Sequence, residues 1–424
     1  MTGGARPRVL VFAYACEPDR GSEPGAGWGL VRSVSEFADC VVLVGPEHGP
    51  GLRSQRITRA ASPPQFIEVP EPIGAASAKM HRVTWFLLYL AWLRRANAVG
   101  RRLHAQIPFD LIFHATYSTY WLPTPAVQYD VPCVWGPVGG AVVTPFSLWP
   151  ALGVRGVCGE LLDMSLVTLM SWLPATRRTW RHAAVHLVQN ERTRSRLPQP
   201  IQASARVLNH AFFTEVPLMP ARRHSGPCVF VGSLVARKGP RLAVRALAYA
   251  PREVHLRIMG DGRERRPLER LVKRLKIADR VHFEGQLPRA VVLAGLAEAS
   301  CVVFTGLREE GGIALAEALL LGVPVIVLAN GGAETIAAAA TDGDRVALIP
   351  PGGVEATARR IGEAMDRFRR AEGTSNTPLL DQGRWKAELR SVFEQALAGT
   401  TRPVQPHLRP DGSSAPVDAW GIGP

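Results

Sequence analysis

The sequence predicts an α/β protein made of two doubly wound, parallel-sheet domains. Three observations lead there. Short apolar runs rich in β-branched residues alternate with helix-length segments along almost the whole chain, as in repeated strand–helix–strand units. At 424 residues the chain exceeds one ordinary core and suits two domains of about 200 residues each. A stretch carrying prolines, arginines and a glycine with little periodicity, 217–227, separates two regular halves and reads as a linker. The expected domains are therefore 1–216 and 228–399, followed by a Pro-, Gly- and Ser-rich tail, 400–424, expected to be disordered.

Composition narrows the function classes. Hydrophobic residues make up 46% of the chain, a globular value. The cysteines Cys16, Cys40, Cys133, Cys158, Cys228 and Cys301 are scattered and form no Cys-x-x-Cys pair, which excludes a zinc ribbon or disulfide framework and fits a reducing compartment. The longest apolar run, 83–93, falls short of the ~18 residues of a spanning helix. No signal-peptide pattern opens the chain. The net charge of +14, carried by only five lysines among 50 basic residues, predicts attraction to anions such as nucleotides or acidic lipid. Nucleic acid is not an expected partner, because no basic strand face carries clustered aromatics.

In the first half, 8–15 reads as a strand and 16–29 as a glycine-rich loop running into a helix, with Gly25 and Gly27 as candidate cleft positions. A dinucleotide site fits poorly there: the third glycine is replaced by Leu30, and no clear acid follows about 20 residues on. Strands are expected at 40–44 and 65–69, with 46–64 loop-like. A long helix, 83–103, carries Trp85, Phe86, Tyr89 and Trp92 and then Arg94, Arg95, Arg101 and Arg102. Two readings stay open for it, a core helix and an interfacial helix on anionic lipid. The strand 109–116 places His114 near its carboxyl end, where open α/β sheets hold ligands, although a structural histidine is the alternative. After the strand 131–135, Gly139 and Gly140 offer bare amides. The apolar helix 161–173 is expected to pack, and the strand 184–188 to close the domain.

In the second half, the strand 228–232 runs into Gly232-Ser233-Leu234-Val235-Ala236-Arg237-Lys238-Gly239. A diphosphate needs cations as well as amides; Arg237 supplies a planar fork and Lys238 a point charge. Strands follow at 253–259, 281–284 and 301–305, alternating with helices at 239–248, 263–276 and 290–297. After 301–305, Gly311 and Gly312 open an Ala/Leu helix that ends at Gly322 with Pro324 beyond, and 323–328 is the next strand. The first amides of such a helix have no internal partner and its dipole favours an anion. Glu309 and Glu317 flank that mouth as acceptor-only groups suited to vicinal hydroxyls. The strand 345–349 and helices 354–370 and 385–397 complete the pattern. Asp342-Gly343-Asp344 reads as a turn, and no metal site is expected.

Glu309-x7-Glu317 with Gly312 at the fourth position, followed by Glu-Ala and Gly-x-Pro-Val-Ile, resembles the signature of the family-4 retaining glycosyltransferases. That family has the GT-B fold, two Rossmann-like domains facing across a cleft. The resemblance implies that Glu309 touches hydroxyls of the donor sugar, and that Gly311, Gly312 and Ile313 give amides to the donor. It also implies that Glu317 binds the nucleotide ribose, that Ser233, Arg237 and Lys238 hold the diphosphate, and that His114 supports the reacting centre. The final helix would cross back to the first domain. Glu310 stands where a glycine is usual and Ala314 where a proline is usual, so two registers, Glu309 or Glu310, are possible for the donor-sugar carboxylate. Gly21-Ser22-Glu23-Pro24-Gly25-x-Gly27-Trp28 and Trp135-Gly136-Pro137-Val138-Gly139-Gly140 resemble a subgroup that builds bacterial surface polysaccharides. The implied activity is metal-independent, retaining transfer from a UDP- or GDP-sugar, as donor substrate, to a lipid-linked or glycan acceptor, with no bound cofactor. The expected place is the cytoplasm, with peripheral contact to the inner face of an anionic plasma membrane on the interfacial reading of 83–103. A GT-B epimerase or phosphorylase is the alternative activity.

Overall fold

The computed structural model describes residues 6–53, 62–71, 82–217, 225–371 and 377–399. Most of the expected linker and the whole expected tail lie outside the described residues. The first sheet contains β1 (Arg8–Phe12), β2 (Asp39–Val44), β3 (Gln65–Glu68), β4 (Leu111–His114), β5 (Cys133–Val138), β6 (Val185–Val188) and β7 (Arg206–Val207). Its order is β3-β2-β1-β4-β5-β6-β7. The second contains β8 (Cys228–Val231), β9 (Leu256–Met259), β10 (Val281–Gly285), β11 (Val302–Phe304), β12 (Val325–Leu328) and β13 (Val346–Ile349), in the order β10-β9-β8-β11-β12-β13.

Every pairing between these strands is parallel; Val9 lies opposite Cys40 on one side and Leu111 on the other. Strands such as Leu111–His114 and Val325–Leu328 are buried at every position, because helices cover both faces of a parallel sheet. Both sheets reverse their winding between the first and fourth strands. The crevices above β1/β4 and β8/β11 are therefore the topological switch points where such folds bind ligands.

Several elements differ from expectation; a short helix, Gly49–Arg53, lies in the stretch expected to be loop. β7 is two residues long, too short to show alternation, so the first sheet gains an edge strand beyond β6. A short helix, Gly332–Ala338, lies between β12 and β13. The apolar helix runs from Trp149 to Ser171, breaks from helical geometry at Gly153, and is followed by a second helix, Pro174–His182, bent by 67° from it. Proline opens that second helix because its missing N–H costs nothing at the first helical positions.

The two apolar helices differ in what covers them. In the helix Arg82–Gln106, Tyr89, Trp92, Leu93 and Ala96 are buried, and Trp92 Nε1 donates to the Val69 carbonyl at 3.1 Å. Tyr14 stands edge-on to the rings of Trp85, Tyr89 and Trp92. That helix belongs to the core, and the interfacial reading of it is withdrawn. In Trp149–Ser171 only one side packs, while Leu161, Leu162, Leu166 and Leu169 are exposed, against the expectation that this helix is covered.

The last helix, Gln382–Ala398, rests on the first domain. Trp385 stacks on Phe212 with centroids 4.0 Å apart, and Phe393 meets Phe37 and Phe113 edge-on. Gln382 Nε2 donates to the Phe212 and Thr214 carbonyls at 2.9 and 2.6 Å.

Candidate active site

The site forms where the loops after β8 and β11 meet. The β8 loop closes with a single 3₁₀ turn, Ala236–Lys238, and then Gly239 at φ +69°. A Cβ on Gly239 would lie 2.0 Å from the Thr305 carbonyl oxygen, so glycine is what lets the two loops touch. Thr305 Oγ1 donates to the Gly239 carbonyl at 2.9 Å, and the amides of Leu307 and Arg308 both donate to the Arg237 carbonyl. Lys238 is thereby fixed beside Glu309, and its ammonium pairs with Oε2 of that carboxylate. Oε1 accepts the Gly312 amide at 3.2 Å, at the start of the helix Ile313–Leu320.

Burial pushes the Glu309 carboxyl up. Lys238, with Arg237 and the Gly312 amide, more than offsets this and holds the group below its ordinary value. Ser233 and Arg237 stand exposed in the same loop. Lys238, Glu309 and Gly312 are thus brought into contact, with Ser233 and Arg237 on the same loop. Glu317 lies one turn inside the helix, with Oε1 held by Nε and Nη2 of Arg289 at 3.0 and 2.8 Å. Burial raises its carboxyl and Arg289 opposes the rise.

The neighbouring glutamate faces the other way. Glu310 Oε1 accepts the Val142 amide at 2.8 Å and Oε2 accepts Asn190 Nδ2 at 2.8 Å, both from the first domain. Asn209 Nδ2 donates to the Glu310 carbonyl at 2.9 Å, and Asn330 Nδ2 donates to the Val143 carbonyl at 3.1 Å. Glu310 is half-buried, and its carboxyl is raised by desolvation there. The two registers are thus separated in space: Glu309 lies with the basic loop, and Glu310 is an interdomain clasp.

Other candidates fall elsewhere. His114 is buried inside the first domain, with Nε2 at 3.1 Å from Tyr89 Oη and Nδ1 at 2.8 Å from Thr124 Oγ1. Burial depresses its pKa to about 4. With both nitrogens engaged it has none for a substrate, and the cleft reading of His114 gives way to a structural one. Gly25 and Gly27 lie within the helix Glu23–Ser35. A Cβ on either would strike the Arg20 or Ala15 carbonyl at about 2 Å, so both serve close packing. Gly139 and Gly140 do reach the crevice, where they pass beside the Glu310 carboxylate. Gly311 is pressed against His210, whose Nε2 would lie 2.1 Å from a Cβ there. Ile313 is half-buried at the helix start.

The residues missed from the sequence are Glu23, Gln189, Asn190, Asn209 and His210. Gln189 Nε2 donates to His210 Nδ1 at 2.7 Å, and Nε2 of the ring faces Gly311. Glu23 Oε1 accepts the Tyr117 amide, and its Oε2 lies 3.7 Å from His210 Nδ1. The available signal was position: Gln189 and Asn190 follow β6, and Asn209 and His210 follow β7, at carboxyl ends of strands.

Residues 227–372 match the family described as glycosyl transferases group 1. A 2-deoxystreptamine glucosyltransferase of Streptomyces kanamyceticus is 30% identical over 296 residues, which is 65% of this chain and 73% of that protein. The chain is a group 1 glycosyltransferase. A 2-deoxystreptamine N-acetyl-D-glucosaminyltransferase of Streptomyces fradiae is 31% identical over 143 residues, 33% of this chain and 32% of its own length. Among solved structures, sucrose-phosphate synthase of Thermosynechococcus elongatus has a TM-score of 0.56 at 16% identity, covering 93% of this chain and 100% of that one. HepE of Anabaena, solved with UDP and glucose, has a TM-score of 0.53 at 15% identity, covering 92% and 99%. The glycosyltransferase therefore has the GT-B fold.

Two predictions follow from the clasp and from the buried histidine. Glu310→Ala leaves the Val142 amide and Asn190 without their acceptor. It should cost the glycosyltransferase about 1–3 kcal/mol in denaturant melts and raise its radius of gyration in solution scattering. A parent-like curve in both would show that Glu310 does not hold the domains. His114 has a folded-state pKa below its unfolded value, so its contribution is present above about 6.5 and is lost as pH falls through about 4. His114→Gln should flatten that acid loss of stability; unchanged acid sensitivity would show that the ring is not buried and neutral.

Proposed function

We propose that this glycosyltransferase moves a hexosyl group, with retention and without a metal, from a UDP- or GDP-sugar to a lipid-linked or polysaccharide acceptor. The observation that carries the reading is the Lys238–Glu309–Gly312 arrangement at the β8/β11 switch point, with Arg237 in the same loop. Lys238 has three donor hydrogens and can hold a diphosphate oxygen as well as Glu309. Arg237, Lys238 and the first amides of Ile313–Leu320 would stabilise charge as it develops on the leaving diphosphate. Glu309 would accept from donor-sugar hydroxyls and Glu317 from the ribose. Glu309 is already committed to Lys238 and the Gly312 amide, which supports front-face attack assisted by the leaving phosphate over a carboxylate nucleophile. Closure of the cleft through the Glu310 clasp would exclude water, the competing acceptor.

The names of the relatives support the hexosyl class, and the HepE complex supports a uridine donor. The same relatives favour a second reading of the acceptor, a small aminocyclitol ring in place of a glycan. The deciding experiment is a thermal-shift panel of UDP, GDP, ADP and their sugar conjugates. Ligand at 100 times its dissociation constant adds ~2.7 kcal/mol to native stability, a clear shift. Lys238→Ala should abolish stabilisation by the nucleoside diphosphate. Glu309→Ala should keep it while lowering transfer by roughly a hundredfold or more. Parent-like behaviour of both variants would misplace the site. Turnover should persist in EDTA; its loss, with recovery on adding magnesium or manganese, would overturn the metal-independent reading.

A further inference from the structure

Large apolar side chains standing singly in water are ordinary, but a concentration of them marks a contact surface. Among the described residues twelve such side chains are exposed, and eight of them lie between 146 and 173. Beyond the break at Gly153 come Val154, Leu161, Leu162, Leu166, Leu169 and Trp172, the last four spaced by four, three and three residues. Val154 is 83% exposed, Leu162 71% and Trp172 67%. This is one continuous stripe along a helix. The opposite side is occupied: Val167 and Met170 pack on the first domain, while Ala151 and Leu152 join the core of the second.

Charge is also sorted along this element. Its two acids turn inward, Glu160 accepting the Thr144 amide at 2.8 Å and Asp163 pairing with Arg308 at 2.8 Å. From Met164 to Asn190 the chain carries no Asp or Glu, whereas Arg177, Arg178 and Arg181 stand exposed on the helix that follows the 67° bend. Arg177 lies over the Trp172 ring, 4.9 Å from its centroid, so the aromatic and cationic parts of the surface are contiguous.

We infer that the exposed face of Trp149–Ser171, with the basic helix Pro174–His182, docks the enzyme on an anionic lipid bilayer. An apolar stripe bordered by arginines complements the acyl–headgroup boundary of such a surface. The element lies on the membrane and does not cross it: no single described helix is long and apolar enough to span, and the inward side is packed and ion-paired. The docking element starts at the active site. Gly156 and Leu152 pack over Ala236 of the basic loop, so the cleft would open beside the lipid surface. The purpose of docking rests on the lipid-linked acceptor reading, whereas the binding itself does not.

The test is co-sedimentation of the full chain with vesicles of phosphatidylcholine alone and of phosphatidylcholine with about one-third phosphatidylglycerol. The parent should bind the anionic vesicles, and added salt should weaken binding. Leu162→Glu with Leu169→Glu, and separately Arg177→Glu with Arg178→Glu and Arg181→Glu, should each lower partitioning roughly tenfold or more. Both sets lie on the exposed face, so cooperative melts and nucleoside-diphosphate shifts should match the parent. Absence of vesicle binding by the parent at low salt would overturn the inference. So would a dimer in light scattering that the leucine variant dissociates, which would assign the stripe to a second copy of the chain. Vesicle binding without any nucleotide shift would leave the docking surface standing and remove the donor assignment instead.

Discussion

The cleft is organised around the cost of burying two adjacent carboxylates. A buried charge needs its own donors, and one set of donors cannot serve two groups facing the same way. Consecutive residues in the loop after β11 resolve this by facing opposite domains. Glu309 takes Lys238 and the Gly312 amide within the second domain, and Glu310 takes the Val142 amide and Asn190 from the first. The backbone carbonyl of Glu310 adds Asn209. One short loop therefore fixes the basic loop after β8 and the relative placement of the domains at once. Both tasks need close backbone approach: Gly239 meets the Thr305 carbonyl, and Gly332 sits against the carbonyl of Glu310.

Much of this was legible before the structure. Alternating apolar runs gave two parallel sheets, and the spacing of Glu309, Gly312 and Glu317 behind a strand identified the helix mouth. Arg237 and Lys238 were legible because they follow the first strand of their sheet, where the switch point lies. Residues whose role depends on the other domain were not legible. Nothing local to Glu310 distinguishes a clasp from a donor contact, because its partners Val142 and Asn190 are 168 and 120 residues away in sequence. His114 failed for a related reason. Its place at a strand end suggested the crevice, but Tyr89 and Thr124 close over it from a helix and a turn that the strand alone does not reveal.

The two apolar helices show the same limit. Arg82–Gln106 and Trp149–Ser171 are both rich in large apolar residues, and periodicity measures how those residues are arranged, not what covers them. In the first, Tyr14 and the Val69 carbonyl supply the cover. In the second, beyond the break at Gly153, one face has a neighbour and the other meets solvent. Cover is a property of the fold around a helix, and it enters a sequence only through residues far away.

The position of Arg308 ties these features together. It precedes Glu309 directly, its amide donates to the Arg237 carbonyl, and its guanidinium pairs with Asp163 and Glu160 on Trp149–Ser171. An ion pair of this kind, largely shielded from water, is costly to break on one side only. A displacement of the Trp149–Ser171 helix relative to the second sheet would therefore pull on the same loop that presents Glu309 and Glu310. Because Glu310 in turn holds Val142 and Asn190, that displacement cannot occur without loosening the contact between the domains. The proposed docking surface and the candidate site are thus mechanically continuous, through two acids, one arginine and the backbone of three consecutive residues.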